Sequence, residues 1–503
     1  MQASSIANIK PQKYLALANT TPAQALEGQH VAKALEKRQV RGHSRALTKD
    51  PVHDPEQESV PSARRNTSGM IVRPPMLMPR QEMLSTMQLG RIALFAPEDA
   101  GGGLERVMFQ LGKGFLARGF EVDFLCFRRR KGHTLNWPPD IRVFTLDKAK
   151  GPLQRLRCRM LPVRADLRAP PPLWRSVVLG RELPQSVKRS NDLLHYLDEV
   201  RPRILLSGWP ECNLVACWAK HLAPGTVKVV VGEHVVLSHV VRERVRKSRV
   251  PQFWRSLPVL VASAYRHADA IVAASNGVAG DLAQTAGIAP GRIETVYNPC
   301  IDDELLSRAG ELVPHPWFRP GSPPVILGAG RLHPQKDFLT LLKAFALIRA
   351  QRRIRLMVLG EGPERQTLER FARDLGVAGD VAFPGWIPNP FAYMANAAAF
   401  VLSSSFEGFG NVVAEALACG CPVVSTDCPA GPAEILDGGK YGRLVPVGDE
   451  EKLARAIAST LANPPNRAAL MTRGAAFSVD RAVEGYMDIF SRIGALRGKS
   501  EKS

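Results

Sequence analysis

The sequence predicts an α/β fold made of two Rossmann-like, doubly wound domains with a cleft between them. Short apolar runs typical of buried parallel strands alternate with segments of helical periodicity over two stretches of the chain. The length of 503 residues is too great for one hydrophobic core. Residues 302–324 are rich in proline and charge, and we expect them to form the interdomain linker.

These patterns divide the chain into four parts. Residues 1–88 hold little amphipathic order and few aromatic residues, which predicts a disordered extension with one short helix near residues 23–36. Residues 89–305 are predicted as the N-terminal domain and residues 306–480 as the C-terminal domain. We expect residues 481–503 to form a final helix and tail.

The first domain begins with an apolar strand at residues 91–97, followed by three glycines. Further strands are predicted at residues 121–127, 203–207, 227–231 and 269–274. Gly102 and Gly103 lie where a strand turns into a helix, and a glycine-rich turn there can cradle a phosphate. The signal is weak alone, because the turn does not match G-x-G-x-x-G.

His234 follows the predicted strand 227–231, at the carboxyl end where open α/β sheets bind ligands. Its spacing from His239 does not fit H-E-x-x-H, which argues against zinc. A single histidine is more often structural than functional, and we expect a structural role for His239. The position of His234 favours a functional role.

The second domain opens with a strand ending at Gly328–Gly330, and Arg331 and Lys336 follow just before a helix. Two cations at a helix start oppose the helix dipole. They are explained if a dianion binds between them, because arginine and lysine pair well with phosphate oxygens.

Residues 400–426 are predicted as a strand, a polar loop, a short helix and a further strand. Glu407 and Glu415 lie in the loop and the helix with seven residues between them. Gly408 and Gly410 let the backbone approach a ligand without a side chain in the way. The amides of Phe409, Gly410 and Asn411 would then point outward at the positive end of the helix, where an anion fits. A carboxylate beside an anion site suits a sugar diol, so the loop indicates a sugar and a phosphate. A helix start that merely favours acidic neighbours is the alternative.

The segment E-G-F-G-N-V-V-A-E-A-L-A-C-G-C-P-V-V closely resembles the E-x7-E segment of retaining GT-B glycosyltransferases of the family 4, or group 1, type. The resemblance extends over residues 91–480 and includes G-G-G-L-E-R, the N-P turn at Asn298 and Pro299, and G-R-L-H-P-Q-K. The chain departs from the family at Asp337, where glycine is usual.

The resemblance implies a GT-B fold whose last helix returns to the first domain. It implies a metal-independent, retaining transferase without a cofactor that uses a nucleotide-diphosphate sugar, and we expect a UDP-hexose or UDP-N-acetylhexosamine. The expected acceptor is a lipid-linked sugar or a polysaccharide of cell-surface glycan biosynthesis. Retention without a clear covalent nucleophile implies front-face attack, as proposed for the family.

The same resemblance implies a role for each candidate residue. Arg331, Lys336 and the amides after Glu407 would stabilise the leaving diphosphate. Glu407 would bind hydroxyls of the transferred sugar and Glu415 those of the ribose. His234 would meet the sugar from the other domain. The phosphates would be covered by Gly102 and Gly103.

Other function classes stay open at this point. Another GT-B enzyme, such as a sugar-nucleotide epimerase, is disfavoured by the pairing of Glu407 with Glu415. A non-catalytic, glycosyltransferase-like binding protein would be expected to lack some of these residues. Nucleic-acid binding rests on net charge alone, because no nucleic-acid-binding module is visible.

The net charge of +20 favours an anionic partner. Arginines interleave with large apolar residues at 128–190 and 241–256, which suits an anionic membrane surface or a lipid-linked acceptor. A solvated face and other polyanions are the alternatives. No D-x-D metal motif, signal-peptide pattern or apolar run of 18 residues occurs. The scattered cysteines indicate a reduced protein without a disulfide framework, so we expect a cytoplasmic location. The basic regions are compatible with peripheral association with the inner face of the plasma membrane.

Overall fold

The computed structural model describes residues 89–99, 102–129, 135–165, 177–178, 184–223 and 225–496. The expected extension at residues 1–88 and the tail beyond residue 496 lie outside the described residues.

The first domain contains a seven-stranded sheet and a separate pair of two-residue strands. Its strands are β1 (Arg91–Phe95), β2 (Glu98–Asp99), β3 (Glu121–Cys126), β4 (Arg128–Arg129), β5 (Ile141–Thr145), β6 (Ile204–Gly208), β7 (Lys228–Glu233), β8 (Ala270–Ala273) and β9 (Ile293–Thr295). The sheet order is β5-β3-β1-β6-β7-β8-β9, and β2 pairs with β4. All pairings in the sheet are parallel.

The second domain contains a six-stranded parallel sheet in the order β12-β11-β10-β13-β14-β15. Its strands are β10 (Val325–Ala329), β11 (Arg355–Leu359), β12 (Val381–Gly385), β13 (Ala399–Leu402), β14 (Val423–Thr426) and β15 (Arg443–Val445). In each sheet the strand order reverses beside the first strand of the domain, at β1/β6 and at β10/β13. These doubly wound sheets confirm the predicted fold class, and ligands bind such sheets at the reversal points.

Helices cover the sheets. Those of the first domain are α1 (Gly103–Ala117), α2 (Pro152–Ala165), α3 (Ser190–Val200), α4 (Pro210–Lys220), α5 (Leu237–Lys247), α6 (Pro251–Tyr265) and α7 (Asn276–Ala286). Those that follow are α8 (Asp303–Ala309), α9 (Phe338–Arg349), α10 (Arg365–Asp374), α11 (Pro390–Asn396), α12 (Asn411–Ala418), α13 (Pro432–Ile435), α14 (Glu450–Ala462), α15 (Arg467–Ala475) and α16 (Val479–Arg492). No helix in the described part of the chain is long and apolar enough to cross a membrane.

Each central strand is apolar on both faces because helices cover both sides of the sheet. In β1, Ala93 and Phe95 join one hydrophobic cluster, while Ile92 and Leu94 join the cluster on the opposite face. The pattern explains why the strands read as continuous apolar runs in the sequence.

The chain crosses between the domains twice, and the two crossings lie side by side. The amides of Cys300 and Ile301 donate to the Phe477 carbonyl at 2.9 and 3.1 Å. Helix α16 then returns to the first domain and packs on α1. A Cβ atom at Gly114 would lie 2.4 Å from a methyl group of Val483, so α16 packs closely against α1 at this glycine.

Two regions differ from their reading in the sequence. Residues 303–309, expected within a linker, form α8, and Leu305 is buried in the core of the second domain. In the arginine-rich region, β5 adds a strand to the sheet and α2 buries Cys158 and Leu161. The composition hid these elements because arginines occupy several of their exposed positions.

Candidate active site

Two loops of the second domain meet at the carboxyl edge of its sheet. One follows β10 (residues 330–337) and the other follows β13 (residues 403–410). The Ser403 hydroxyl donates to the Lys336 carbonyl at 2.8 Å, and the Ser405 amide donates to the Gln335 carbonyl at 2.8 Å. The Gln335 side chain donates back to the Phe406 carbonyl at 2.9 Å. These bonds fix the two loops against each other.

Lys336 and Glu407 form an ion pair between these loops. The Lys336 ammonium lies 2.6 Å from Oε1 of Glu407, and the Ser404 hydroxyl donates to the same oxygen at 2.6 Å. The two side chains are only 17% and 9% exposed, so water screens their attraction weakly. The structure thus brings together two predicted site residues that are 71 positions apart in the chain.

Arg331 is the second residue of the first of these loops, and its side chain is exposed. It forms no ion pair with any residue that the structure describes. Its positive charge contributes, after burial, to lowering the pKa of His333. The guanidinium is therefore close enough to His333 to affect its charge, and it does not pair with Glu407.

Asp337, the residue that departs from the family pattern, adopts a left-handed backbone conformation with φ 46°. Glycine adopts such a conformation without strain, and aspartate is one of the few other residues that tolerate it. The Asp337 carboxylate also accepts from the amide and hydroxyl of Thr340 at 3.3 and 2.7 Å. It therefore caps α9, a role that glycine could not fill.

Gly408 touches the first domain directly. A Cβ atom at this position would lie 1.9 Å from the His234 carbonyl oxygen, so only glycine fits. The Ser275 hydroxyl also reaches across and donates to the Gly408 carbonyl at 2.8 Å. The backbone of the predicted donor loop is therefore packed against the end of β7.

The remaining loop residues anchor the start of α12. The Phe409 side chain is buried and stacks on Tyr297 with ring centroids 5.5 Å apart. Gly410 has φ 92° and caps α12 without a side-chain acceptor for the first helical amides. Those amides form the positive end of the helix, which suits an anion.

His234 lies directly after β7, and its ring contacts the first domain's own backbone. A Cβ atom at Gly232 would lie 2.8 Å from His234 Nε2. Burial lowers the pKa of His234 to about 4, so the ring is neutral at pH 7. Nδ1 lies 3.0 Å from the Asn298 side-chain oxygen, which can only accept, so we assign the proton to Nδ1. The buried Nε2 is then an acceptor without a partner among the described residues.

Asn298 links the two domains. It accepts from His234 and donates from its amide nitrogen to the Asn411 side-chain oxygen at 2.9 Å. His234 and Asn411, both predicted site residues, are therefore joined through one intermediate side chain. The N-P turn marks Asn298 in the sequence, but its role in the site is visible only in the structure.

Glu415 pairs with a second residue that sequence reasoning missed. Its Oε1 lies 3.2 Å from the Arg106 guanidinium of α1, while its Oε2 is buried without a partner among the described residues. Arg106 belongs to the G-G-G-L-E-R segment, which was the available signal. Gly102 and Gly103 begin the same helix and are exposed. No backbone hydrogen bond joins these two glycines to the second domain in the described part of the chain.

Glu233 is a buried carboxyl group beside His234, also missed from the sequence. Its Oε1 accepts from the Tyr265 hydroxyl and, at 3.1 Å, from the Asn213 amide. Burial raises the pKa of Glu233 to about 7, although these hydrogen bonds oppose the rise. A cluster of at least three metal-ligating side chains is not found among the described residues.

Further contacts hold the cleft together. The Asn276 and Gly277 amides at the start of α7 each donate at 2.8 Å to the Glu434 carboxylate of the second domain. His239 stacks on Phe406 with centroids 4.4 Å apart. We expected a structural role for His239, and this contact with the second domain is compatible with one.

The fold and the site define a two-domain, GT-B type protein with a charged cleft. Residues 101–304 match the family described as "Glycosyltransferase Family 4", and residues 323–463 match "Glycosyl transferases group 1". Together the matches cover more than half of the chain, and the chain belongs to this glycosyltransferase family.

Similar proteins include a lipopolysaccharide core biosynthesis glycosyltransferase of Rhizobium meliloti, 37% identical over 177 residues, or 34% of this chain and 51% of that protein. A Campylobacter jejuni N-acetylgalactosamine-N,N'-diacetylbacillosaminyl-diphospho-undecaprenol 4-alpha-N-acetylgalactosaminyltransferase is 32% identical over 202 residues, or 40% and 53%. The chain spans about half the length of these curated relatives.

Solved structures share the fold. The lipopolysaccharide outer core galactosyltransferase WaaB superposes with a TM-score of 0.58 at 21% identity, over 80% of this chain and 99% of that chain. Anabaena HepE in complex with UDP and glucose gives 0.60 at 20% identity, over 80% and 99%. At these identities the likeness establishes the fold.

Proposed function

We propose that the protein is a retaining glycosyltransferase that transfers a hexose or N-acetylhexosamine from a nucleotide-diphosphate sugar, with UDP as the nucleotide. The ion pair of Lys336 and Glu407 beside the open start of α12 carries this proposal. A cation, a carboxylate and free helical amides at one sheet edge suit a sugar diphosphate. The UDP complexes of the Anabaena relative support the choice of nucleotide.

Bond breaking between the sugar and the diphosphate leaves negative charge on the phosphate nearest the sugar. Lys336, Arg331 and the amides at the start of α12 would stabilise that charge as it develops. They would supply the positive charge without a metal ion. The acceptor hydroxyl would attack from the face that the diphosphate leaves, which retains the configuration at the sugar carbon.

Carboxylates and the histidine would orient the donor. Glu407 would accept hydrogen bonds from hydroxyls of the transferred sugar. Glu415 would accept a hydrogen bond from a ribose hydroxyl through its unpartnered oxygen. His234 approaches the donor from the first domain, and Nε2 of its neutral ring would accept a hydrogen bond from a sugar hydroxyl. The phosphates would be covered by the glycines that begin α1, Gly102 and Gly103.

We propose a lipid-linked or polysaccharide acceptor at an anionic membrane surface. Helix α2 exposes Leu153 and Leu156 by 61% and 54%, beside the exposed Arg155 and Arg157. Apolar and basic groups on one short helix suit a surface of anionic lipid. The names of the relatives, which refer to lipopolysaccharide and to diphospho-undecaprenol, support the acceptor class.

Release of nucleotide from a panel of UDP-, GDP- and ADP-sugars by the purified protein tests the donor and the reaction. We expect slow hydrolysis of one UDP-sugar in the wild type and none in a Lys336→Ala/Glu407→Ala double variant. Lys343→Ala is the control, because Lys343 pairs with Glu450 on an exposed surface. Absence of hydrolysis together with absence of a thermal shift for every nucleotide sugar would contradict the proposal.

A further inference from the structure

The first domain holds a second charged site, a cavity of about 650 Å³. Its cationic lining side chains are Lys148, Arg155, Arg159, Lys188, Arg244 and Arg249. Among the described lining residues only Glu211 is acidic. Such an excess of positive charge around a cavity attracts an anion with more than one negative charge.

The cavity lies at the ligand-binding edge of the first sheet. Glu211 is in the first turn of α4, directly after β6, and Arg244 is on α5, which follows β7. Lys148 follows β5 by three residues. Because all these strands are parallel, their carboxyl ends share one edge of the sheet, the edge that also carries His234.

Arg244 is held in place by aromatic rings. Its guanidinium lies 5.8 Å from the Trp209 ring centroid and 5.3 Å from that of Trp254. It forms no salt bridge with a described residue. The two rings restrain the guanidinium without neutralising its charge, and an arginine held in this way can bind phosphate oxygens.

The turn that leads into Glu211 has an uncommon backbone conformation. Trp209 has φ 90°, an uncommon conformation for a residue with a side chain, between the end of β6 and Pro210. Strain of this kind concentrates at ligand sites, where it fixes the position of a neighbouring group. Here the uncommon conformation directly precedes the turn that carries Glu211, a lining residue of the cavity.

Helix α5 connects this cavity to the donor loops. Glu243 Oε1 lies 3.9 Å from His333 Nε2 in the loop that carries Lys336. The next residue, Arg244, lines the cavity. A molecule in the cavity is therefore one helix away from the donor site.

We infer that this cavity binds a phosphate or diphosphate group carried by the acceptor. The inference rests on the proposed function and narrows the acceptor to an anionic molecule. The cations hold the acceptor by its charged group, so that its hydroxyl is directed to the donor side of α5. The Glu211 side chain accepts a hydrogen bond from a hydroxyl group of the same molecule.

Inorganic pyrophosphate is the probe for the cavity, with binding measured by calorimetry on the full chain. Arg155→Gln/Arg249→Gln removes two exposed lining cations that form no ion pair with a described residue, so we expect the variant to fold. Arg157→Gln/Arg246→Gln is the matched control, because these arginines are exposed on α2 and α5 but do not line the cavity. We expect about tenfold weaker binding in the first variant and less than about twofold in the control.

One soluble sugar phosphate and one lipid diphosphate separate the two sources of the anion. Farnesyl diphosphate in micelles represents a lipid-linked acceptor, and glucose 1-phosphate represents a phosphorylated sugar. The compound whose binding weakens when Arg155 and Arg249 are replaced identifies the source of the anion. Equal loss of pyrophosphate affinity in both double variants would show an effect of net charge and would overturn the inference.

A competition experiment with UDP keeps this result separate from the proposed function. Unchanged pyrophosphate affinity in the presence of saturating UDP is expected for a distinct site. Displacement of pyrophosphate by UDP would place the anion in the donor loops and would also overturn the inference. Donor hydrolysis without acceptor, in contrast, tests only the proposed function.

Discussion

The Lys336 ammonium and the Glu407 carboxylate lie 2.6 Å apart and join two loops that end neighbouring strands of the second sheet. Each group satisfies the other in a place where an isolated charge would be costly. A nucleotide-sugar donor would give each partner a new contact, phosphate oxygens for the ammonium and sugar hydroxyls for the carboxylate. The pair is therefore a stable resting arrangement of groups that the proposed reaction uses.

Lys336→Ala is expected to reduce kcat by about 10²–10³, or about 2–4 kcal/mol of transition-state stabilisation, the loss typical of one charge donor. Nucleotide release with the best donor measures this. Thermal unfolding of the same variant is needed, because the partly buried Glu407 loses its partner. Lys343→Ala is the control, and turnover at the wild-type rate in Lys336→Ala would rule out the catalytic role.

Glu415→Gln is expected to raise the donor KM about tenfold or more with a smaller change in kcat. The reason is that a hydrogen bond to a charged acceptor contributes about 1.5–3 kcal/mol, and the ribose does not take part in bond breaking. The variant keeps the size of the side chain but weakens the contact with Arg106. Glu484→Gln, at an exposed position of α16, is the control. A fall in kcat at unchanged KM would contradict ribose binding.

The extent to which the sequence predicts this site differs between residues. Lys336 and Glu407 are predictable because each follows a clear apolar strand, and neighbouring parallel strands end at one edge. Arg106 and Asn298 are harder to find, because their roles arise from contacts between the domains. Arg106 reaches Glu415 across 309 positions of the chain, and no local pattern records such a contact. The family signal marks both segments without giving their partners.

The elements that the sequence misses have a similar cause. Edge strands such as β5, β9 and β15 are short and partly exposed, so they lack the continuous apolar run of a central strand. Helix α8 is only seven residues long, and its neighbours are rich in proline and charge. The cavity lined by arginines and lysines involves residues from α2, α4, α5, α6 and several loops, and only their assembly makes it visible.

Gly408→Ala is expected to lower kcat/KM about 10²-fold or more while the domains stay folded. A Cβ atom at 408 would lie 1.9 Å from the His234 carbonyl oxygen, so the cleft cannot close as it does here. Displacements of about 1 Å can cost 10² in rate. Gly280→Ala on α7 is the control, since a Cβ atom there meets no atom within 4 Å. Steady-state kinetics and thermal unfolding of both variants check this, and wild-type kinetics in Gly408→Ala would contradict it.

Asp337→Ala and Asp337→Gly are expected to differ in stability. The Asp337→Ala variant loses the side-chain bond to the Thr340 amide that caps α9, and it keeps a strained φ of 46°. We expect these two effects together to lower the free energy of unfolding by about 2 kcal/mol. Glycine loses the same cap but adopts this conformation without strain, so we expect a change of less than about 1 kcal/mol. Denaturant unfolding of the two variants measures the difference. Equal destabilisation would show that backbone strain at this position is negligible.

Glu233→Gln is expected to reveal opposite pH effects of two adjacent buried groups. Burial raises the pKa of Glu233 from 4.5 to about 7, so its contribution to stability is present below pH 4.5 and is lost as the pH rises through 7. Burial lowers the pKa of His234 from 6.5 to about 4, so its contribution is present above pH 6.5 and is lost as the pH falls through 4. The two slopes therefore oppose each other between pH 4.5 and 6.5.

The variant keeps an acceptor for Tyr265 and Asn213 and removes only the titration of Glu233. The free energy of unfolding of wild type minus that of Glu233→Gln should fall between pH 4.5 and 7, by up to about 3 kcal/mol. The stability of the variant alone should rise with pH over the same interval, because His234 still titrates. Denaturant unfolding at half-unit pH steps measures both curves, and taking their difference cancels the groups common to the two proteins. A difference that does not change with pH would show that Glu233 titrates in the folded protein as it does in the unfolded chain.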